Sequence, residues 1–230
     1  LHVTAGEGVV FERRAAGSST HAVIANTHGG AGIIVHDGAC PRIEENEIWD
    51  TSIFAWPWDF TKGSSAENNA IAFTDEIGRG NVVRRNLIHG TFNGVGPCGG
   101  AAPPAGITNE TDLYENVLYQ HTDDAFEPEG YCANVRLWGN AIADVHMAFA
   151  VAPAAPGPTW IVRNTAYDFG NTRTSWGDKA ATRCVVTPSP KPASTACHAT
   201  TWLSQRNPNI PLLTANPAAR KPRSIWSERS

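Results

Sequence analysis

The feature that most constrains this chain is a repeat centred on asparagine. Five segments align on it: "RIEENEIWD", "NVVRRNLIHG", "TDLYENVLYQ", "NVRLWGNAIAD" and "TWIVRNTAYD". The shared residues are Asn46, Asn86, Asn116, Asn140 and Asn164. Three positions before each stand Ile43, Val83, Leu113, Leu137 and Ile161; two positions after stand Ile48, Ile88, Leu118, Ile142 and Ala166. The last two steps are 24 residues, and the longer ones contain the inserts "GPCGGAAPPAG" and "AWPWDFTKGSSAENN". A unit this short cannot hold two packed helices. It suits one turn of a coil of short strands, in which apolar columns stack along the axis and each rung covers its neighbour. Asparagines at one rung position then form a side-chain ladder that satisfies backbone groups at a bend. A β-sandwich would need two apolar columns and an asparagine column to coincide by chance.

Composition agrees. The chain is 41% hydrophobic and only 17% charged, with 21 Gly and 16 Pro, a mix that favours turn-rich β structure over helices. No apolar run is long enough to span a membrane. The chain starts at Leu1 and reads as a mature or trimmed product. Cys40, Cys98, Cys132, Cys184 and Cys197 show no CxxC spacing, which argues against a sulfur-ligated zinc site and suits one or two disulfides in a secreted protein.

Charge divides the chain in two. Residues 1–178 hold 10 of the 18 Lys+Arg and 21 of the 22 Asp+Glu, a net of −11; residues 179–230 carry +7. All the glycines lie in the first part. An acidic body argues against nucleic acid as the partner. We therefore expect a coil domain over 1–178 and an irregular basic tail over 179–230, with few regular strands after 185 and a Cys184–Cys197 bridge as a candidate. The tail reads either as an appendage covering an open coil end or as the product of a slipped reading frame near residue 178.

The spacing "N-V-x-x-x-x-N-x-I", followed by "DDAFEPEG", resembles right-handed parallel β-helix repeat proteins of the pectate lyase-like superfamily, over roughly residues 20–176. The resemblance implies an all-β, right-handed parallel β-helix, a single-stranded solenoid. It leaves the reaction open, because that superfamily includes polysaccharide lyases, glycoside hydrolases, uronate epimerases and non-catalytic adhesins.

Within that frame the stretch "HTDDAFEPEG", residues 121–130, concentrates the chemistry. Strand alternation with Phe126 inward stacks Val95 and Phe149 on it. A floor of small residues (Gly94, Gly96, Ala125, Ala148, Ala150) then faces outward. Asp123, Glu127 and His146 rise from that floor, with His89, His121 and Asn93 on the adjoining turn. Candidate catalytic residues are Asp123, Glu127, His146, His121, Asp124 and Glu129. Candidate substrate-binding residues are Asn93, His89, Trp56, Trp58 and Arg136; the two tryptophans form either a sugar-stacking lip or a structural cover. The adjacent aspartates equally suit a turn held by Asx bonds. His89 also falls in an aromatic column with Trp49, Tyr119 and Tyr167, a structural place.

Three functions fit this set. Hydrolysis of a glycosidic bond needs an acid and a second carboxylate; Glu127 and Glu129 at alternate positions, or the Asp123–Asp124 pair, which looks like the acidic motif of polygalacturonases, could supply them. The other polygalacturonase motifs are absent. β-Elimination on a uronic-acid polymer needs a base and a cation for the substrate carboxylate. Ca²⁺ held by Asp123, Asp124 and Glu127 is one such cation, and His146 or His121 would be the base. The third reading is a non-catalytic polysaccharide-binding or structural coil with an acidic, cation-binding face. The expected partner in each case is an extracellular or periplasmic polysaccharide, with neither nucleic acid nor membrane.

Overall fold

The computed structural model describes residues 32–36, 40–50, 56–74, 77–99, 108–151 and 155–167 with their side chains. It adds the backbone of 2–3, 9–11, 18–20, 23–25, 154, 168–169, 195–197 and 202–204. The strands form a 12-stranded and an 8-stranded sheet. Every strand pairing between named strands is parallel, and each joins segments one turn apart along the chain. This is a parallel β-helix.

Register resolves three strand columns around the coil. One runs through Glu47–Trp49, Leu87–His89 and the start of Val117–Phe126. A second runs through Ile33–His36, Asn69–Thr74, Asn93–Gly96 and the end of Val117–Phe126. These two share the larger sheet, and in the rungs of Val117–Phe126 and Ala141–Phe149 they fuse into single long strands. The third column, the smaller sheet, runs through Arg42–Glu44, Asn81–Arg84, Thr108–Tyr114, Gly130–Trp138 and Thr159–Val162.

Each column lays one apolar row inside the coil. Ile43, Val83, Leu113, Leu137 and Ile161 are in direct register and almost wholly buried. So are Ile48, Ile88, Leu118, Ile142 and Ala166. The third row is Ile33, Ile71, Val95, Phe126 and Phe149, ending in two stacked rings 5.9 Å apart. The core is therefore a set of columns, and burial of these side chains is its main source of stability.

The asparagine ladder occupies the corner between the smaller sheet and the first column. Asn86 Nδ2 donates to Asn116 Oδ1 at 2.9 Å and to Ile43 O at 2.9 Å. Asn116 repeats the pattern with Asn140 Oδ1 and Val83 O, both at 3.0 Å, and Asn140 with Asn164 Oδ1 at 2.8 Å and Leu113 O at 2.9 Å. Each Oδ1 also accepts the backbone N–H of the preceding ladder residue. A buried amide with all four of its bonds made is cheap to keep and costly to lose. Just before each asparagine the chain takes a left-handed residue: Glu45, Arg85, Glu115, Gly139 and Arg163 have φ between 53° and 65°. That turns the corner in two residues, at some backbone cost at the four non-glycine positions.

Two strands lie inside the expected tail. Thr195–Cys197 pairs with Thr159–Val162, and Trp202–Ser204 with Thr165–Phe169, so both sheets gain a further rung there. A Cys184–Cys197 bridge lies outside the described side chains. A disulfide joins Cys98 to Cys132, and Cys40 is free and exposed.

Candidate active site

The strand Val117–Phe126 carries most of the chemistry, and it is irregular where it does so. His121 pairs with Val145 and Asp124 with Met147 of the strand Ala141–Phe149. Thr122 and Asp123 therefore oppose the single residue His146, a β-bulge that re-aims the side chains beside it. The corner just before it is made by left-handed Gln120 (φ 59°), matched on the next rung by Asp144 (φ 50°).

The bulge and a long insert change the expected floor. Gly94, Gly96, Ala125, Ala148 and Ala150 are all buried, and Ala125 and Ala148 belong to the core. Gly94 is required to be small: a Cβ there would come within 2.2 Å of Ala125 O. The insert carrying the short helix Trp58–Thr61 lies over this face, with Trp58 tilted against His146 at 6.3 Å between ring centres. Its Lys62 reaches Asp123 Oδ2 at 2.9 Å and also pairs with Glu67. The face is a covered one, open at its edge.

Four carboxyl groups meet there. Asp123 and Asp124 are 3% and 4% exposed; Glu127 and Glu129 lie partly open. Burial pushes the Glu127 carboxyl up to about 7, helped by the charges of Glu129 and Asp123 and a hydrogen bond with Glu129, against the opposing pull of Lys62. Burial also holds Asp124 well above the usual carboxylate range, followed by the charges of Asp123 and Glu127, again opposed by Lys62. Burial works against charge on Lys62, but its bonds and ion pairs with Glu67 and Asp123 outweigh it and raise its proton affinity. The cluster thus combines ion-paired Asp123, proton-retaining Asp124 and a Glu127 carboxyl poised near neutrality beside Glu129.

Asn93 braces this arrangement. Its Oδ1 accepts the Asp124 N–H at 3.1 Å and its Nδ2 donates to Glu127 Oε2 at 3.3 Å. At 2% exposure it positions the acids instead of meeting solvent as a substrate contact. His121 is likewise displaced from the expected rim into the interior, with no exposed surface. The Thr91 hydroxyl gives its proton to Asn93 O at 2.7 Å, so at 2.9 Å it accepts from His121 Nδ1–H. Burial drives the His121 pKa down to about 3, leaving a neutral ring. His121 cannot reach a polymer in this arrangement.

His89 stacks between Trp49 (6.1 Å) and Tyr119 (4.7 Å), and burial lowers its pKa despite Glu47 at 3.4 Å. It takes the structural place. Arg136 stands on the smaller sheet, bidentate to Asp112 at 2.6 and 2.8 Å, away from the acids. His146 stays by the cluster, half-buried, its Nδ1 without a hydrogen-bond partner. Trp56 is half-buried, its indole N–H unpartnered.

Among the described residues no three His, Cys, Asp or Glu side chains are grouped to hold a metal ion. Of the expected Ca²⁺ set of Asp123, Asp124 and Glu127, Asp123 is ion-paired with Lys62. Sequence reasoning did not bring Lys62 and Glu67 to the site. The available signal was that Lys62 is the single lysine of residues 1–178 and lies in the largest insert between rungs.

No family model matches this chain, and neither do the curated proteins or the solved structures compared with it.

Proposed function

We propose that this chain is a polysaccharide-cleaving enzyme of the pectate lyase-like kind, with Glu127 as its proton-transfer group. The supporting observation is the Glu127 carboxyl, raised to about 7 by burial and hydrogen-bonded to Glu129 at the open edge of the cluster. A group half-protonated near neutral pH is suited to general acid and base work. Glu127 would protonate the glycosidic oxygen as its bond to the anomeric carbon breaks, and Glu129, as the base, would take a proton from the water that adds to that carbon. Asp123, Lys62 and Asn93 position the pair. Hydrolysis is the reading a carboxyl pair supports most directly, since it needs an acid and a second carboxylate; elimination would draw in addition on a cation for the substrate carboxylate. The Cys98–Cys132 disulfide fits an oxidising, extracytoplasmic setting.

The test is a panel of neutral and uronate polysaccharides, read for new reducing ends and for the ultraviolet absorbance of unsaturated uronates. Reducing ends without that absorbance, abolished by Glu127→Gln, support hydrolysis. Unsaturated products would move the reaction to elimination. No cleavage of any polymer would leave the coil as a binding or structural protein.

A further inference from the structure

The smaller sheet has its own outward chemistry, on residues distinct from the acid cluster. Two rows of side chains face out there. One places Arg136 beside Trp160 on the next rung; the other places Trp138 beside Val162. Trp138 and Trp160 are 37% and 36% exposed, among the few large apolar side chains the described coil leaves in solvent. They stand on a diagonal, one rung and two residues apart, which is about 7–8 Å between their Cα atoms. Between them opens a cavity of about 540 Å³, lined also by Asn134, Arg136, Val162 and Arg163.

Both rings are held. Trp138 stacks face to face on Tyr114 at 4.1 Å, and Trp160 Nε1 donates to Asn134 Oδ1 at 3.1 Å. Rings fixed in advance offer flat apolar area at low entropic cost. The two cations of the cavity differ. The charge of Arg136 is spent on Asp112. Arg163 is exposed at its corner, and among the described residues no carboxylate pairs with it. A groove with two exposed indoles, an amide and one uncommitted guanidinium matches a chain of sugar rings bearing carboxylates. Sugar C–H faces lie on the indoles, and a carboxylate takes the guanidinium in a bidentate pair.

We propose that this groove is an accessory binding site for an acidic glycan, separate from the acid cluster. It takes its sugar class from the polysaccharide reading but depends on none of the cluster residues. Trp160 and Arg163 set its affinity, and Arg163 sets its preference for uronates over neutral sugars.

Binding is measured calorimetrically in a Glu127→Gln background, which removes turnover if the cluster is catalytic. The probes are tetragalacturonate, tetramannuronate and, as a neutral control, cellotetraose. At least one acidic probe should bind about tenfold or more tighter than cellotetraose, a difference of about 1.4 kcal/mol. Arg163→Gln should erase that preference. Trp160→Ala should weaken binding about tenfold, and Trp160→Phe should restore part of it. Circular dichroism should be unchanged for both exposed-site variants. Failure of both acidic probes to bind, or equal binding by the Arg163→Gln and Trp160→Ala variants, overturns the site. So does a change of sedimentation coefficient in Trp160→Ala without probe binding, which would mean that a second copy fills the groove. None of these results depends on whether Glu127→Gln abolishes cleavage, so the two proposals fail separately.

Discussion

The ladder corner and the bulged strand bury polar groups to opposite effect. At the corner, the amides of Asn86, Asn116 and Asn140 make all their bonds to neighbouring asparagines and backbone carbonyls, and the ladder itself repeats without titratable groups. At the bulge, buried acids lie against one another with one lysine for company, and burial raises the proton affinity of Asp124 and Glu127. The first region spends polarity on holding the coil; the second holds polarity under electrostatic tension. Perturbed, partly open acids beside a bulge are the kind of place where chemistry is found, whereas a saturated ladder is scaffold.

Breaking the ladder should have the largest effect. Asn116→Ala removes its bonds to Val83 O and Asn140 Oδ1 and leaves the Asn86 backbone N–H and one Asn86 Nδ2–H without an acceptor. The expected loss is about 3–5 kcal/mol in urea unfolding, since each buried group left unpaired costs about 1–3 kcal/mol. A loss below about 1 kcal/mol would show that water replaces the ladder.

The acids should behave in the reverse way: removing charge should help folding. Folded Glu127 titrates near 7 against an ordinary 4.5, so the native state binds more protons over that window and stability falls as pH rises through it. His121 acts oppositely: its folded pKa near 3 lies below the ordinary 6.5, so stability rises with pH between those values. Glu127→Gln removes one of the two carboxyls that oppose the His121 trend, Asp124 being the other, so the slope of melting temperature against pH from about pH 4.5 to 6.5 should be more positive than in the wild type. An identical pH profile would mean that Glu127 is not buried against its neighbours. In the same variant, cleavage should drop by roughly 10²–10⁴-fold, the usual worth of a proton-transfer group.

Lys62→Met sharpens the contrast from the other side. It strands Asp123 at 3% exposure, and a lost charged bond of this kind costs about 1.5–3 kcal/mol. It should also raise the Glu127 titration further, because the Lys62 charge is what opposes the rise. The smallest effect belongs to the surface of the ladder corner. The Arg85–Glu45 pair, 2.7 Å apart and more than a third exposed on both sides, should lose about 0–1 kcal/mol on Arg85→Ala.

The two regions also differed in how far the sequence disclosed them. The ladder was legible because its information is local and repeated: Ile43, Asn46 and Ile48 predict the fold of their rung, and the next rung repeats them. Phe126 on Phe149 followed from the same alternation. The acids were legible as a run, since Asp123, Asp124, Glu127 and Glu129 are neighbours in the chain. Their surroundings were not. Alternation assumes an unbroken strand, and the bulge at Thr122–Asp123 breaks it, so His121 went inside; the small-residue floor is covered by the insert that carries Trp58 and Lys62. The lysine that pairs Asp123 comes from an insert with no rung pattern of its own. The aromatic groove arises from two rows, Arg136–Trp160 and Trp138–Val162, that align only once the rungs are stacked.

The most direct test is the titration of the Glu127 side-chain carboxyl, followed by carbon NMR with the Glu127→Gln variant fixing the assignment. It needs no substrate. A midpoint near 7 is expected from burial beside Glu129 and Asp123. A midpoint at the ordinary 4.5 would mean that the group is solvated and fully ionised at neutral pH, and the proton-transfer role proposed for it would be lost.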